Sequence, residues 1–143
     1  MPRGNIKMTY YLCYGAPLLD RSLDRRVDTL RLEGQGRLDG WKMTFTREGG
    51  QPNLVESVGA KVWGCLYLVE EHKLAALDKE EAGGTRVQGS VYFEGKQEPA
   101  VWYVYPAASA ILPSKETFDA YVSLYEQAGL PKAQIEQALP VKA

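Results

Sequence analysis

The sequence predicts an α+β fold: a small, strongly curved mixed sheet or barrel with helices outside it. Three observations lead there. Two short runs rich in aromatic and branched residues, Tyr10 to Tyr14 and Lys61 to Val69, have the composition of buried strands. The links between successive strands are mostly too short to hold a crossover helix. A hairpin signal and the clearest helices come only in the second half of the chain. A doubly wound sheet needs a crossover helix between most of its strands, which this sequence does not supply.

The elements follow in order. Tyr10 to Tyr14 reads as a strand, Gly15 as a tight turn, and Pro17 to Val27 as a short helix. In that helix Leu18, Leu19, Leu23 and Val27 recur at helical spacing opposite Asp20, Arg21, Asp24 and Arg25. Thr29 to Gly34 alternates like a strand, and Gly34, Gly36 and Gly40 are expected to break the chain into turns. Trp41, Met43 and Phe45 share one face of the next strand. A loop over Glu48 to Asn53, an extended Asn53 to Glu56 and a turn at Ser57 to Ala60 precede the second apolar strand. Gly64 inside that strand marks a place where another group comes close. Glu70 to Glu80 reads as a helix with Leu74 and Leu77 inward, stopped by Ala82-Gly83-Gly84. Thr85 to Glu94 and Pro99 to Tyr105 form a hairpin around Glu94 to Glu98. Ser114 then caps a helix whose inner face is Phe118, Tyr121, Val122 and Tyr125. Gly129 ends it, and Pro131 opens a last short helix to about Leu139.

A length of 143 residues is enough for one domain, residues 1–143, with a proper hydrophobic core. Seventeen basic against 18 acidic residues leave a formal charge of −1 and no Lys/Arg run, which argues against nucleic acid and anionic membranes as partners. No apolar stretch reaches the length of a membrane span, and Met1-Pro2-Arg3-Gly4 lacks the apolar core of a signal peptide. The expectation is a cytoplasmic protein. Cys13 and Cys65 each sit among bulky apolar residues and read as core hydrophobes rather than a disulfide. With one histidine, His72, in the polar, solvated helix start Glu70-Glu71-His72-Lys73, a Ser/His/Asp triad is poorly supported and a structural zinc site has almost no ligands to draw on. A Walker-type phosphate loop and a dinucleotide fingerprint are also missing from the sequence.

Two stretches could carry chemistry. The junction Tyr14-Gly15-Ala16-Pro17 turns a strand into a helix start and can offer unpaired N–H groups to an anion or oxyanion. It reads equally as an ordinary connection. The cluster Asp78-Lys79-Glu80-Glu81 lies at a helix end, where the dipole disfavours a carboxylate. It reads either as a solvated helix end or as the place of one partly buried carboxyl, with a raised pKa, able to move protons near neutrality.

Several separated segments resemble the γ-glutamyl cyclotransferase family, which includes γ-glutamylamine cyclotransferases and avirulence-induced proteins. Tyr14-Gly15-Ala16-Pro17-Leu18 is similar to the family's Tyr-Gly-Ser-Asn-Leu, and Val62-Trp63-Gly64-Cys65-Leu66-Tyr67 to its Val-Trp-Gly-x-Leu-Tyr. Leu77-Asp78-Lys79-Glu80-Glu81-Ala82 resembles Leu-Asp-x-x-Glu-Gly. Val101 to Tyr105 matches a later strand carrying a Tyr, Pro113-Ser114 a Pro-Ser before a helix, and Gly129-Leu130-Pro131 a Gly-Leu-Pro near the end. The correspondence spans nearly the whole chain in the right order.

The resemblance implies a mixed β-barrel flanked by helices and an enzyme that converts a γ-glutamyl amine or amino acid to 5-oxoproline and a free amine. It implies Glu81 as general acid/base, and a substrate site over Tyr11, Leu12, Cys13, Tyr14, Gly15 and Ala16, with Tyr103 as a further contact through its hydroxyl. It calls for no metal and no organic cofactor, and leaves a monomer or a homodimer open. The sequence departs from the pattern at Ala16, Pro17 and Ala82, and Arg86 stands nearest to where the family often has a Tyr. These changes leave a second possibility, a binding domain of the same fold with altered catalysis. A third is an interaction domain using the Tyr121/Tyr125 helix face.

Overall fold

The computed structural model describes residues 7–15, 30–47, 51–106 and 111–139. Its centre is a closed five-stranded barrel in the order β1-β3-β2-β4-β5, with β5 returning to β1. The strands are β1 (Met8–Cys13), β2 (Arg31–Arg47), β3 (Gln51–Glu70), β4 (Thr85–Phe93) and β5 (Lys96–Val104). All pairs are antiparallel except β1 with β5, which run parallel. The mixed barrel expected from the short links is what forms. The helix expected at Pro17 to Val27, and Ala16 before it, lie outside the described residues.

Two long strands correct the sequence reading. Gly34, Gly36 and Gly40 do not end β2. They let it run on, paired with β3 along its length. Gly34 and Gly40 take positive φ (149° and 87°) where the register slips, and a Cβ on Gly36 would lie 2.5 Å from Leu66 Cδ1. Such irregularities bend a strand, which a narrow barrel requires. Ser57 to Ala60, expected as a turn, instead lies within continuous β3: Asp39 pairs with Lys61 and Trp41 with Glu56, so these residues form an irregularity of the ladder and do not end the strand. Gly64 is as read, because a Cβ there would sit 2.7 Å from the Cys13 carbonyl oxygen.

Local signals in the second half are realised closely. The hairpin turn is Glu94-Gly95, both at positive φ (49° and 82°), which matches strand twist. Helix α1 (Leu74–Glu80) follows a 3₁₀ turn (Glu71–Lys73), and α2 (Lys115–Ala128) begins where Ser114 Oγ accepts the Thr117 N–H at 3.1 Å. Gly129, left-handed at φ 74°, ends α2, and α3 (Ala133–Gln137) closes the described chain.

The apolar residues divide into two clusters. The larger one joins Leu12, Leu38, Phe45, Val62, Leu66, Val91 and Trp102 to Tyr121 and Tyr125 of α2 and Ile135 of α3. Tyr121 and Tyr125 are fully buried, so the aromatic face of α2 is core and offers no docking surface. The smaller cluster, Tyr11, Cys13, Leu30, Val69, Leu77, Val101 and Tyr103, is covered by α1 through Leu77. Strand alternation explains the split: Tyr11 and Cys13 point one way from β1 and Leu12 the other.

Candidate active site

Glu81 is the residue immediately after α1, with its N–H on the Leu77 carbonyl at 3.0 Å. Leu77, wholly buried, anchors that last turn and carries the Glu81 side chain inward, where it is only 7% exposed. A buried carboxyl needs donors on its oxygens. It has two: the Tyr11 hydroxyl donates to Oε2 and the Tyr105 hydroxyl to Oε1. Glu81 is thus a buried carboxyl and not a solvated part of the helix end.

The Tyr11 phenol keeps its proton. Burial pushes Tyr11 well above the ordinary tyrosine range, with Cys13 and the Glu81 charge adding to the effect. Burial also pushes the Cys13 thiol well up, again with Glu81 adding, so Cys13 is a neutral packing group. Cys65, also buried and also raised by burial, pairs with Cys13 across the β1–β3 ladder, and both cysteines are free.

Beside Glu81 lies a second polar chain. The Tyr103 hydroxyl donates to Asp78 Oδ1 at 2.5 Å, and Arg86 holds both oxygens of Asp78 at 2.9 Å. Burial, then the Asp78 carboxylate, push the Tyr103 phenol up. Asp78 precedes Glu81 by three residues, so both project from the same side of the helix end. Tyr11 and Tyr103 meet edge to face with ring centres 5.9 Å apart, linking the two chains. Asp78 and Arg86 open onto a groove of about 440 Å³ that His72 and Gln88 also line, while Glu81 does not. His72 itself is largely exposed, its Nε2 3.2 Å from Glu70.

The expected site residues are partly gathered. Tyr11, Cys13, Tyr103 and Glu81 come together in or against the smaller cluster. Leu12 packs its side chain in the larger one. Tyr14 bridges: its hydroxyl donates to the Tyr103 carbonyl at 2.6 Å, and its own carbonyl accepts the Tyr125 hydroxyl at 2.6 Å. Gly15 is buried against Pro52, 3.3 Å from where its Cβ would be. The Tyr103 hydroxyl, expected to meet substrate, is instead engaged by Asp78. Two residues with clear roles were not anticipated, Tyr105 and the Asp78 partner of Tyr103. A tyrosine two residues after Tyr103, in the strand expected over Pro99 to Tyr105, was the available signal for the first.

The family model described as gamma-glutamyl cyclotransferase, AIG2-like matches residues 11–132. The chain belongs to that family. A gamma-glutamylcyclotransferase from Bos taurus is 30% identical over 80 residues, which is 50% of this chain and 43% of the bovine protein. The matched stretch thus spans less than half the length of that curated relative. Among solved structures, a gamma-glutamyl cyclotransferase superposes with a TM-score of 0.75 at 21% identity, covering 96% of this chain and 91% of its own. An uncharacterized Homo sapiens protein gives 0.74 at 21% identity, covering 95% and 90%. At such identities these superpositions establish the fold, and the family rests on the profile match. Among the described residues of this family member, no helix is long and apolar enough to cross a membrane.

Proposed function

We propose that this protein is a γ-glutamyl cyclotransferase-type enzyme that converts a γ-glutamyl amine or γ-glutamyl amino acid to 5-oxoproline and a free amine. The observation that carries the reading is Glu81, a buried carboxyl at a helix end held by two phenol hydroxyls. In a chain of this family, that is an acid/base group with a fixed geometry and a dry setting.

Both reacting groups belong to one substrate, so the main task is folding it. Orienting an amine against a carbonyl in this way is worth about 7–11 kcal/mol in favourable intramolecular cases. Glu81 removes one proton from the α-ammonium, and the freed nitrogen pair attacks the γ-carbonyl carbon. The tetrahedral centre collapses with cleavage of the original C–N bond as Glu81 returns the proton to the departing nitrogen, and the second proton on the attacking nitrogen passes to the released amine, giving the neutral lactam and an ammonium. Backbone N–H groups at Gly15 and Ala16 are assigned to the substrate or the developing oxyanion. Tyr103 is assigned as a substrate contact through its hydroxyl, which can still accept from a substrate N–H while donating to Asp78.

The test is release of 5-oxoproline, by mass spectrometry, from γ-glutamyl amines, γ-glutamyl amino acids and glutathione, with wild type and Glu81→Gln side by side. Product from wild type alone supports the assignment. Full turnover by a folded Glu81→Gln protein removes Glu81 from the reaction. A second reading, a binding domain with altered catalysis, is motivated by Ala16 and Pro17 in the turn and by the engaged Tyr103 hydroxyl. Stabilisation by γ-glutamyl compounds without product on long incubation would favour it.

A further inference from the structure

Asn53 is fully buried, and the chemistry so far gives it no part. Its amide closes on the main chain of a single residue, Tyr105. Oδ1 accepts the Tyr105 N–H at 2.9 Å and Nδ2 donates to the Tyr105 carbonyl at 3.1 Å. Nδ2 also donates to Thr46 Oγ1 at 2.9 Å, which fixes the amide from behind. The pairing of β5 with β4 ends at Val104 with Thr85. At Tyr105 the side chain of Asn53 thus supplies the donor and acceptor that a neighbouring strand would have supplied.

The ring of Tyr105 is set from the other side by Gly84. A Cβ on that residue would lie 2.9 Å from both Cε2 and Cζ of the ring. Backbone clamp and ring slot together aim the hydroxyl at Glu81 Oε1. The two phenols on Glu81 are not equivalent. Tyr11, on Oε2, is wholly buried, whereas Tyr105 is half-buried, so Oε1 is the oxygen held by the more accessible phenol.

We propose that Tyr105, clamped by Asn53, is a positioning residue that holds Oε1 of Glu81 as the proton-exchanging oxygen. A phenol suits the task because it donates to a carboxylate and accepts from a carboxylic acid. It can therefore keep hold of Glu81 in both halves of the proton transfer. The proposal rests on the acid/base reading of Glu81.

The experiment compares wild type, Glu81→Gln, Tyr105→Phe and Asn53→Ala, with Asn53→Asp, which keeps the acceptor for the Tyr105 N–H, as the milder variant if Asn53→Ala does not fold. Tyr105→Phe is expected to lower kcat 10- to 100-fold with KM changed less than threefold, and to displace the acid limb of the kcat profile. Asn53→Ala is expected to act in the same direction and to add little in the Tyr105→Phe background. A second readout is independent of turnover: with ¹³Cζ-labelled tyrosine, the Tyr105 resonance shifts in both Glu81→Gln and the Asn53 variant. Inactive Glu81→Gln with wild-type kcat and pH profile in Tyr105→Phe overturns the positioning role and leaves the cyclotransferase reading standing. Active Glu81→Gln overturns both. If no substrate turns over, an unmoved Tyr105 resonance overturns the arrangement, and a moved one supports it.

Discussion

Gly84→Ala gives the sharpest stability test of the geometry around Glu81. Carbon pairs rest about 3.5–4.0 Å apart. A new Cβ 2.9 Å from the Tyr105 ring therefore forces the ring back by roughly 0.6 Å. The Asn53 clamp prevents the backbone from following, so the hydroxyl withdraws from Glu81 Oε1. Losing a hydrogen bond to a charged, buried group costs about 1.5–3 kcal/mol. The stiffer unfolded chain of an Ala variant offsets about 0.4–1 kcal/mol of that. A net loss of about 1–2 kcal/mol is expected. In a Tyr105→Ala background the ring is gone, and the remaining contact with the Glu81 carbonyl oxygen, at 3.2 Å, is mild. There Gly84→Ala should be nearly neutral. Urea unfolding of the four proteins, with unchanged m-values, measures the coupling. If Gly84→Ala costs the same with and without the Tyr105 ring, to within about 0.5 kcal/mol, the slot does not exist as described.

Three further outcomes follow from other contacts. Tyr11, Tyr103 and Tyr125 are each pushed up chiefly by burial, so the folded chain keeps protons that unfolded tyrosines release near pH ~10. Their contribution is complete below that pH and lost above it, so the urea midpoint should fall steeply from about pH 10 upward; a midpoint unchanged to pH ~11 would contradict it. Gln134 takes the Trp63 N–H at 2.7 Å and gives its own N–H to the Trp63 carbonyl at 2.9 Å and the Tyr125 hydroxyl at 3.1 Å. Gln134→Leu orphans these groups and should cost about 1–3 kcal/mol in thermal or urea unfolding, against near neutrality if they find other partners. Ser114→Ala removes the α2 cap and should cost about 1 kcal/mol, and no change in unfolding midpoint would show that the helix start does not need it.

Much of this protein is legible along the chain. Ser114 and Gly129 bound α2, Glu94-Gly95 turns the hairpin, and Gly64 yields space to the Cys13 carbonyl, because caps, turns and close approaches are demands met by one or two neighbouring residues. The place of Glu81 was readable too, from a motif and a helix end. What β2 does with Gly34, Gly36 and Gly40 was not, since the same residue that breaks an isolated strand bends a paired one, and only the partner decides which. The setting of Glu81 likewise belongs to the tertiary structure. Its two phenols come from 70 residues before and 24 residues after it, and the amide that aims one of them lies 52 residues from Tyr105. The residue type and its helix end were in the sequence. Whether that carboxyl met water or two hydroxyl groups was decided by barrel closure, which brings β1 beside β5 and lays α1 over both.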